Sequence, residues 1–166
     1  RMLDRYPNNR LQCYRTTEVQ DDVPIRVYFL SPCKFPEGEV DENETDIRKI
    51  ATINFLERNT DATIERYQSI LTRAVNQPGV CIETSDKPES NETRLMIAFR
   101  SDSTHSYFLA LSDLLHYYDL QSNRKYIEHF ANGFTVYSIY LDSELNEKTS
   151  EALKSTLAEY TEEQVI

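Results

Sequence analysis

The sequence predicts an α+β domain in the ferredoxin-like order βαββαβ, an antiparallel sheet with its helices on one face. Three observations predict it. Residues 25–30, 80–84, 93–100 and 125–130 are β-branched or aromatic runs with two-residue alternation. Between them, residues 46–75 and 107–120 carry apolar side chains at three- and four-residue spacing. Asn132-Gly133 then separates two strand-like runs, which reads as a hairpin. A strand before this core, the hairpin strand after it and a final helix extend the six elements.

In chain order, residues 1–9 contain Pro7-Asn8-Asn9 and read as a lead-in. Residues 10–17 alternate through Leu11 and Cys13 as a strand. In residues 25–30, Ile25, Val27 and Phe29 share one face and Tyr28 and Leu30 the other, as in a central strand covered on both sides. The stretch 31–45 is a long acidic loop punctuated by Pro36 and Gly38. Residues 46–58 form a short helix carrying Ile47, Ile50, Ala51 and Phe55. Asn59 or Thr60 interrupts it and caps a second helix through Val75, with Ile64, Tyr67, Ile70, Leu71, Ala74 and Val75 as its stripe. Pro78-Gly79 ends that run.

Strands at 80–84 and 93–100 follow, the second setting Leu95, Ile97 and Phe99 against Met96 and Ala98. Ser103 or Thr104 caps a helix with Tyr107, Phe108, Leu111, Leu114, Leu115 and Tyr118 on one face, stopping at Leu120. Residues 121–123 are a polar connector. In the hairpin that follows, Asn132-Gly133 tolerates positive φ at both positions of a two-residue turn. Residues 143–166 contain an amphipathic helix with Leu145, Ala152, Leu153, Leu157 and Tyr160 inward, packing on this domain or leading to the next.

The totals narrow the function classes. At 166 residues with 39% hydrophobic content the chain can bury a sizeable core. Its net charge of -10 repels phosphate backbones and anionic lipid heads, so neither nucleic acid nor a membrane is an expected partner. No apolar run reaches the roughly 20 residues of a bilayer span, and no signal peptide is visible. The absence of a first methionine points to a piece of something longer. Cys13, Cys33 and Cys81 are odd in number and scattered, which fits reduced thiols in an intracellular compartment. Asn43-Glu44-Thr45 and Asn91-Glu92-Thr93 match the glycosylation pattern and are read as chance.

Motifs that carry chemistry are sparse. Gly38, Gly79 and Gly133 are the three glycines, too far apart for a GxGxxG or P-loop cradle, which excludes a nucleotide fold of that kind within this chain. Asp113 and His116 lie one helical turn apart and His129 could approach from the sheet, but no third ligand has metal-like spacing, so packing or solvent-facing histidines are preferred. Ser106 and Ser112 near His105 and His116 lack a nucleophile-elbow sequence. Glu128 and His129 are adjacent on a strand and point to opposite faces, so they cannot act as a pair. No catalytic, cofactor or metal site is assigned. Eleven tyrosines supply amphipathic contact area; Tyr117, Tyr118, Tyr126, Tyr137 and Tyr140 are the candidate interface residues, with core packing the default alternative.

The run Ala110 to Leu141, through Ser112-Asp113-Leu114, Tyr117-Tyr118, Ser122 to Tyr126 and Asn132-Gly133, strongly resembles a segment of the large, fungal-type NAD-dependent glutamate dehydrogenases upstream of their catalytic region. Cys13-Tyr14-Arg15 and Arg26-Val27-Tyr28-Phe29 carry a weaker echo, so most of residues 10–142 are covered in the same order. The resemblance implies a non-catalytic, ACT-like regulatory or assembly module. Its partners would be other domains or subunits of a parent that oxidises glutamate to 2-oxoglutarate and ammonia. NAD would bind the parent elsewhere, and no cofactor is expected here. The expected compartment is intracellular, the cytoplasm ahead of the mitochondrion. An ACT-type amino-acid sensor is the alternative; such domains often bind where the first strand meets the first helix, here the acidic loop 31–45 with Gly38 its one glycine.

Overall fold

A computed structural model describes residues 9–15, 25–87, 89–100, 107–142 and 147–162. The strands are β1 (Asn9–Arg15), β2 (Arg26–Pro32), β3 (Cys81–Lys87), β4 (Glu92–Arg100), β5 (Ser122–His129) and β6 (Phe134–Leu141). The helices are α1 (Ile47–Ile50), α2 (Ile53–Arg58), α3 (Asp61–Asn76), α4 (Tyr107–Tyr117) and α5 (Glu147–Glu162). All six strands join one sheet in the order β2-β1-β5-β6-β4-β3, and every neighbouring pair is antiparallel. The α+β class and the antiparallel sheet match the sequence reading; the detailed order does not.

A ferredoxin-like arrangement would put β2 between β5 and β4. Instead β6 holds that place, and β2 pairs only with β1 at the sheet edge. The cause is visible in β6: all eight residues are buried, so the strand is stable only where both of its faces are covered. β4 and β5 therefore run parallel with β6 between them, a split βαβ unit built on α4. Residues 25–30, read as a central strand, are the most exposed part of the sheet, with Phe29 54% exposed.

The helices cover both faces, which corrects the one-face expectation. On one side α1, α2 and α3 pack Ile50, Phe55, Tyr67, Ile70 and Leu71 against Met96, Ala98, Phe130 and Val136. On the other, Leu111, Leu114 and Leu115 of α4 and Leu153 of α5 pack against Leu95, Ile97, Tyr137 and Ile139. The alternation in β4 explains this: its odd and even residues are both apolar, so each face needs its own cover.

The stretch 46–58 is two helices rather than one. Ala51 is extended, and Thr52 turns the chain and accepts the Phe55 amide at 3.2 Å, capping α2. Thr60 accepts the Thr63 amide and caps α3 as expected; of the six stripe residues, the five from Ile64 to Ala74 are buried and Val75 is partly buried against them. The hairpin also differs from the expected two-residue turn. Of its central dipeptide only Gly133 has positive φ, +88°. The Gly133 amide donates to the Phe130 carbonyl at 3.1 Å and the Phe130 amide to Phe134 at 2.8 Å, a three-residue loop ending in a bulge. The polar connector at 121–123 is shorter than expected, because β5 already begins at Ser122.

The caps Ser103 and Thr104, His105, Ser106, the side chains of Tyr107, Phe108, Leu145, Leu157 and Tyr160, and the lead-in through Asn8 lie outside the described residues. Among the described residues no helix is long and apolar enough to cross a membrane. All three cysteines are free, with Cys13 and Cys81 buried.

Candidate binding cleft on the outer half of the sheet

Helices α1 to α3 cover only part of their face of the sheet, over β3, β4 and the β5–β6 hairpin. Beyond them, β1, β5 and β6 turn polar side chains to the same side. Arg10, Gln12 and Tyr14 alternate on β1, Arg124, Tyr126 and Glu128 on β5, and Tyr140 follows on β6; the register sets Gln12 against Tyr126 and Arg124 between Tyr14 and Tyr140. With Arg58 and Asn59 at the end of α2, and Thr63 and Tyr67 of α3, they enclose a cleft of about 250 Å³.

At its deep end Arg10 and Glu128 form a buried, two-pronged ion pair. The Arg10 Nε donates to Glu128 Oε2 at 2.6 Å and its Nη2 to Oε1 at 2.5 Å. Burial pushes the Glu128 carboxyl above its usual range, and Arg10 pulls it part of the way back. The other guanidinium groups are less committed. Arg124 lies 4.0 Å from the Tyr140 ring centre and reaches Glu92 at 3.3 Å. Arg58 is exposed and has no ion-pair partner among the described residues. Three arginines thus face one glutamate in this cleft, in a chain whose net charge is -10.

Tyrosine rings form the rest of the floor. Tyr14 meets Tyr126 edge-on at 5.9 Å, and Tyr126 meets Tyr140 at 6.0 Å. Burial, with help from its hydrogen bond to Tyr14, pushes the Tyr126 phenol up to about 12, so it keeps its proton at neutral pH. Tyr67 closes the inner wall against Phe55, ring centres 4.9 Å apart.

The five candidate interface tyrosines fall in three places. Tyr126 and Tyr140 line the cleft. Tyr137 is on the opposite face, 7% exposed and 5.1 Å from Phe99. Tyr117 and Tyr118 end α4, with Tyr117 80% exposed and Tyr118 partly buried against the core. Asp113 and His116 are on the exposed side of α4, whereas His129 is mostly buried and meets the Thr135 hydroxyl at 2.8 Å. Glu128 and His129 do turn to opposite faces, one to Arg10 and the other to Thr135.

Sequence reasoning missed Arg10, Arg58, Arg124 and Glu128 as a group. Arg10-x-Gln12-x-Tyr14 and Arg124-x-Tyr126-x-Glu128 share one signal, a polar and aromatic face opposite Leu11, Cys13 and Ile127. That pairing emerges only when β1 is known to lie beside β5.

Comparison with known proteins follows the same lines. Residues 3–165 match the family model described as NAD-specific glutamate dehydrogenase, second domain. The chain is 37% identical over 159 residues to "Glutamate dehydrogenase 2" of Dictyostelium discoideum, covering 85% of this chain and 15% of that protein. It is 45% identical over 117 residues to the NAD-specific glutamate dehydrogenase of Neurospora crassa, covering 70% of this chain and 11% of that protein. A probable NAD-specific glutamate dehydrogenase of Schizosaccharomyces pombe is 34% identical over 125 residues, 73% of this chain and 11% of that protein. No solved structure matches. The chain therefore spans a small part of the relatives it matches, and it belongs to the family of NAD-specific glutamate dehydrogenase second domains.

Proposed function

We propose that this chain is a non-catalytic regulatory and assembly module of a long NAD-specific glutamate dehydrogenase. The parent would oxidise L-glutamate with NAD and water to 2-oxoglutarate, ammonia and NADH, and other segments would hold both substrates. The observation that carries this reading is the family match over residues 3–165, set in relatives of which the chain covers 11% to 15%. The sequence agrees: with glycines only at 38, 79 and 133, it has no glycine-rich loop to cradle a dinucleotide pyrophosphate.

The contact surface of the module would be edge strand β2 together with the end of α4. Val27, Tyr28 and Phe29 expose apolar area from both faces of β2, which is the last strand at its end of the sheet among the described residues. Such an edge invites pairing or cover, and an exposed apolar cluster of this kind marks an interaction site. Tyr117 adds an exposed aromatic anchor of the type enriched at interfaces. The partner would be another domain or subunit of the same enzyme. Hydrogen exchange on the full-length enzyme tests this. The outward amides of β2 are expected to be protected as well as those of β6; exchange at the rate of free surface loops would contradict the contact.

A further inference from the structure

We propose that the cleft between the α2–α3 corner and strands β1, β5 and β6 binds a small organic anion bearing carboxylate or phosphate groups, held by Arg58 and Arg124. This inference does not rest on the assembly role of β2 and Tyr117. It begins with the accounting of charge. Arg10 is fully engaged by Glu128 in a buried two-pronged pair, so it supplies architecture rather than spare charge. Arg124 reaches Glu92 at 3.3 Å, hydrogen-bonds the Tyr126 phenol and lies 4.0 Å from the Tyr140 ring centre, so no carboxylate grips it in a two-pronged pair. Arg58 lines the same cleft with no ion-pair partner among the described residues. The lining therefore holds two guanidinium groups beside the Arg10 pair and a single carboxylate, Glu128, which Arg10 already engages. Guanidinium groups match carboxylate and phosphate oxygens in two-pronged geometry.

Neutral polar groups complete the lining. Asn59 and Thr63 stand where the 16-residue α3 begins, the Asn59 side-chain amide donating to the Phe55 carbonyl at 2.8 Å and the Thr63 hydroxyl meeting Thr60 and Arg66. Tyr126 keeps its phenolic proton, with its hydroxyl hydrogen-bonded to Tyr14 and to Arg124. A volume of about 250 Å³ is just below the roughly 300–1,000 Å³ usual for small-molecule pockets, so the ligand is a compact anion and not a dinucleotide. The acidic loop 31–45, where an ACT-type effector would be sought, contributes no lining residue.

The test is calorimetric titration of the full-length enzyme with succinate, citrate and inorganic phosphate, each separately. At least one is expected to bind, and Arg58→Gln and Arg124→Gln are each expected to weaken it by about tenfold or more. Arg48→Gln, at an exposed position of α1 outside the cleft lining, should leave the affinity unchanged. Binding of succinate or citrate alone assigns the ligand to carboxylates; binding of phosphate alone assigns it to phosphorylated compounds. Because Arg58 is exposed and unpaired among the described residues, its replacement should keep the melting temperature, which the same samples report. If none of the three binds, or if Arg58→Gln binds as tightly as the unaltered enzyme, the proposal is overturned.

Discussion

Arg10 and Glu128 show how one pair of residues can hold a site open. Both side chains are nearly inaccessible, and each satisfies the charge of the other with two hydrogen bonds. A buried ion pair adds little net stability over well-packed apolar side chains, but removing one partner strands the other charge in a poor solvent. Arg10→Ala is therefore expected to cost about 3–5 kcal/mol in urea unfolding. The joint change Arg10→Met with Glu128→Leu should cost far less than the sum of the single changes, because no charge is left unpaired. Additive losses would mean that the two groups do not depend on each other. The same pair bounds the cleft, since Arg10 reaches from β1 to Glu128 of β5 at its deep end.

Single elements were largely legible in the sequence, and their neighbours were not. The α3 stripe, its Thr60 cap and the two-sided alternation of β4 follow from local periodicity, and each is present where the spacing placed it. Sheet order depends on contacts such as Arg10 with Glu128, 118 residues apart, and no periodicity within one strand encodes that distance. The apolar faces of residues 25–30 suggested a central strand, but β6 is apolar on both sides over a greater length and takes the interior place. The cleft was missed for the same reason, because its arginines come from strands and helices far apart in sequence. The hairpin offers a clean test at this scale. Gly133 has φ of +88° and nothing within 4 Å of where a Cβ would stand, so Gly133→Ala isolates backbone strain. A loss of about 1–2 kcal/mol is expected in thermal or urea unfolding; an unchanged midpoint would show that the turn relaxes to another form.

At the scale of the whole molecule, a sheet clad by helices on both faces leaves two distinct surfaces. One is the apolar edge at β2 with Tyr117, and the other is the basic cleft in an otherwise acidic chain. The first suits protein contact within a much longer enzyme, and the second suits a small anion. On the proposed reading, glutamate oxidation would take place in other segments of that enzyme. The most direct measurement is sedimentation velocity of the full-length enzyme carrying Phe29→Asp and Tyr117→Ala, with glutamate oxidation followed on the same sample. The account predicts a smaller or more extended particle whose KM values for glutamate and NAD stay within about twofold. An unchanged particle with either KM raised about tenfold or more would contradict it.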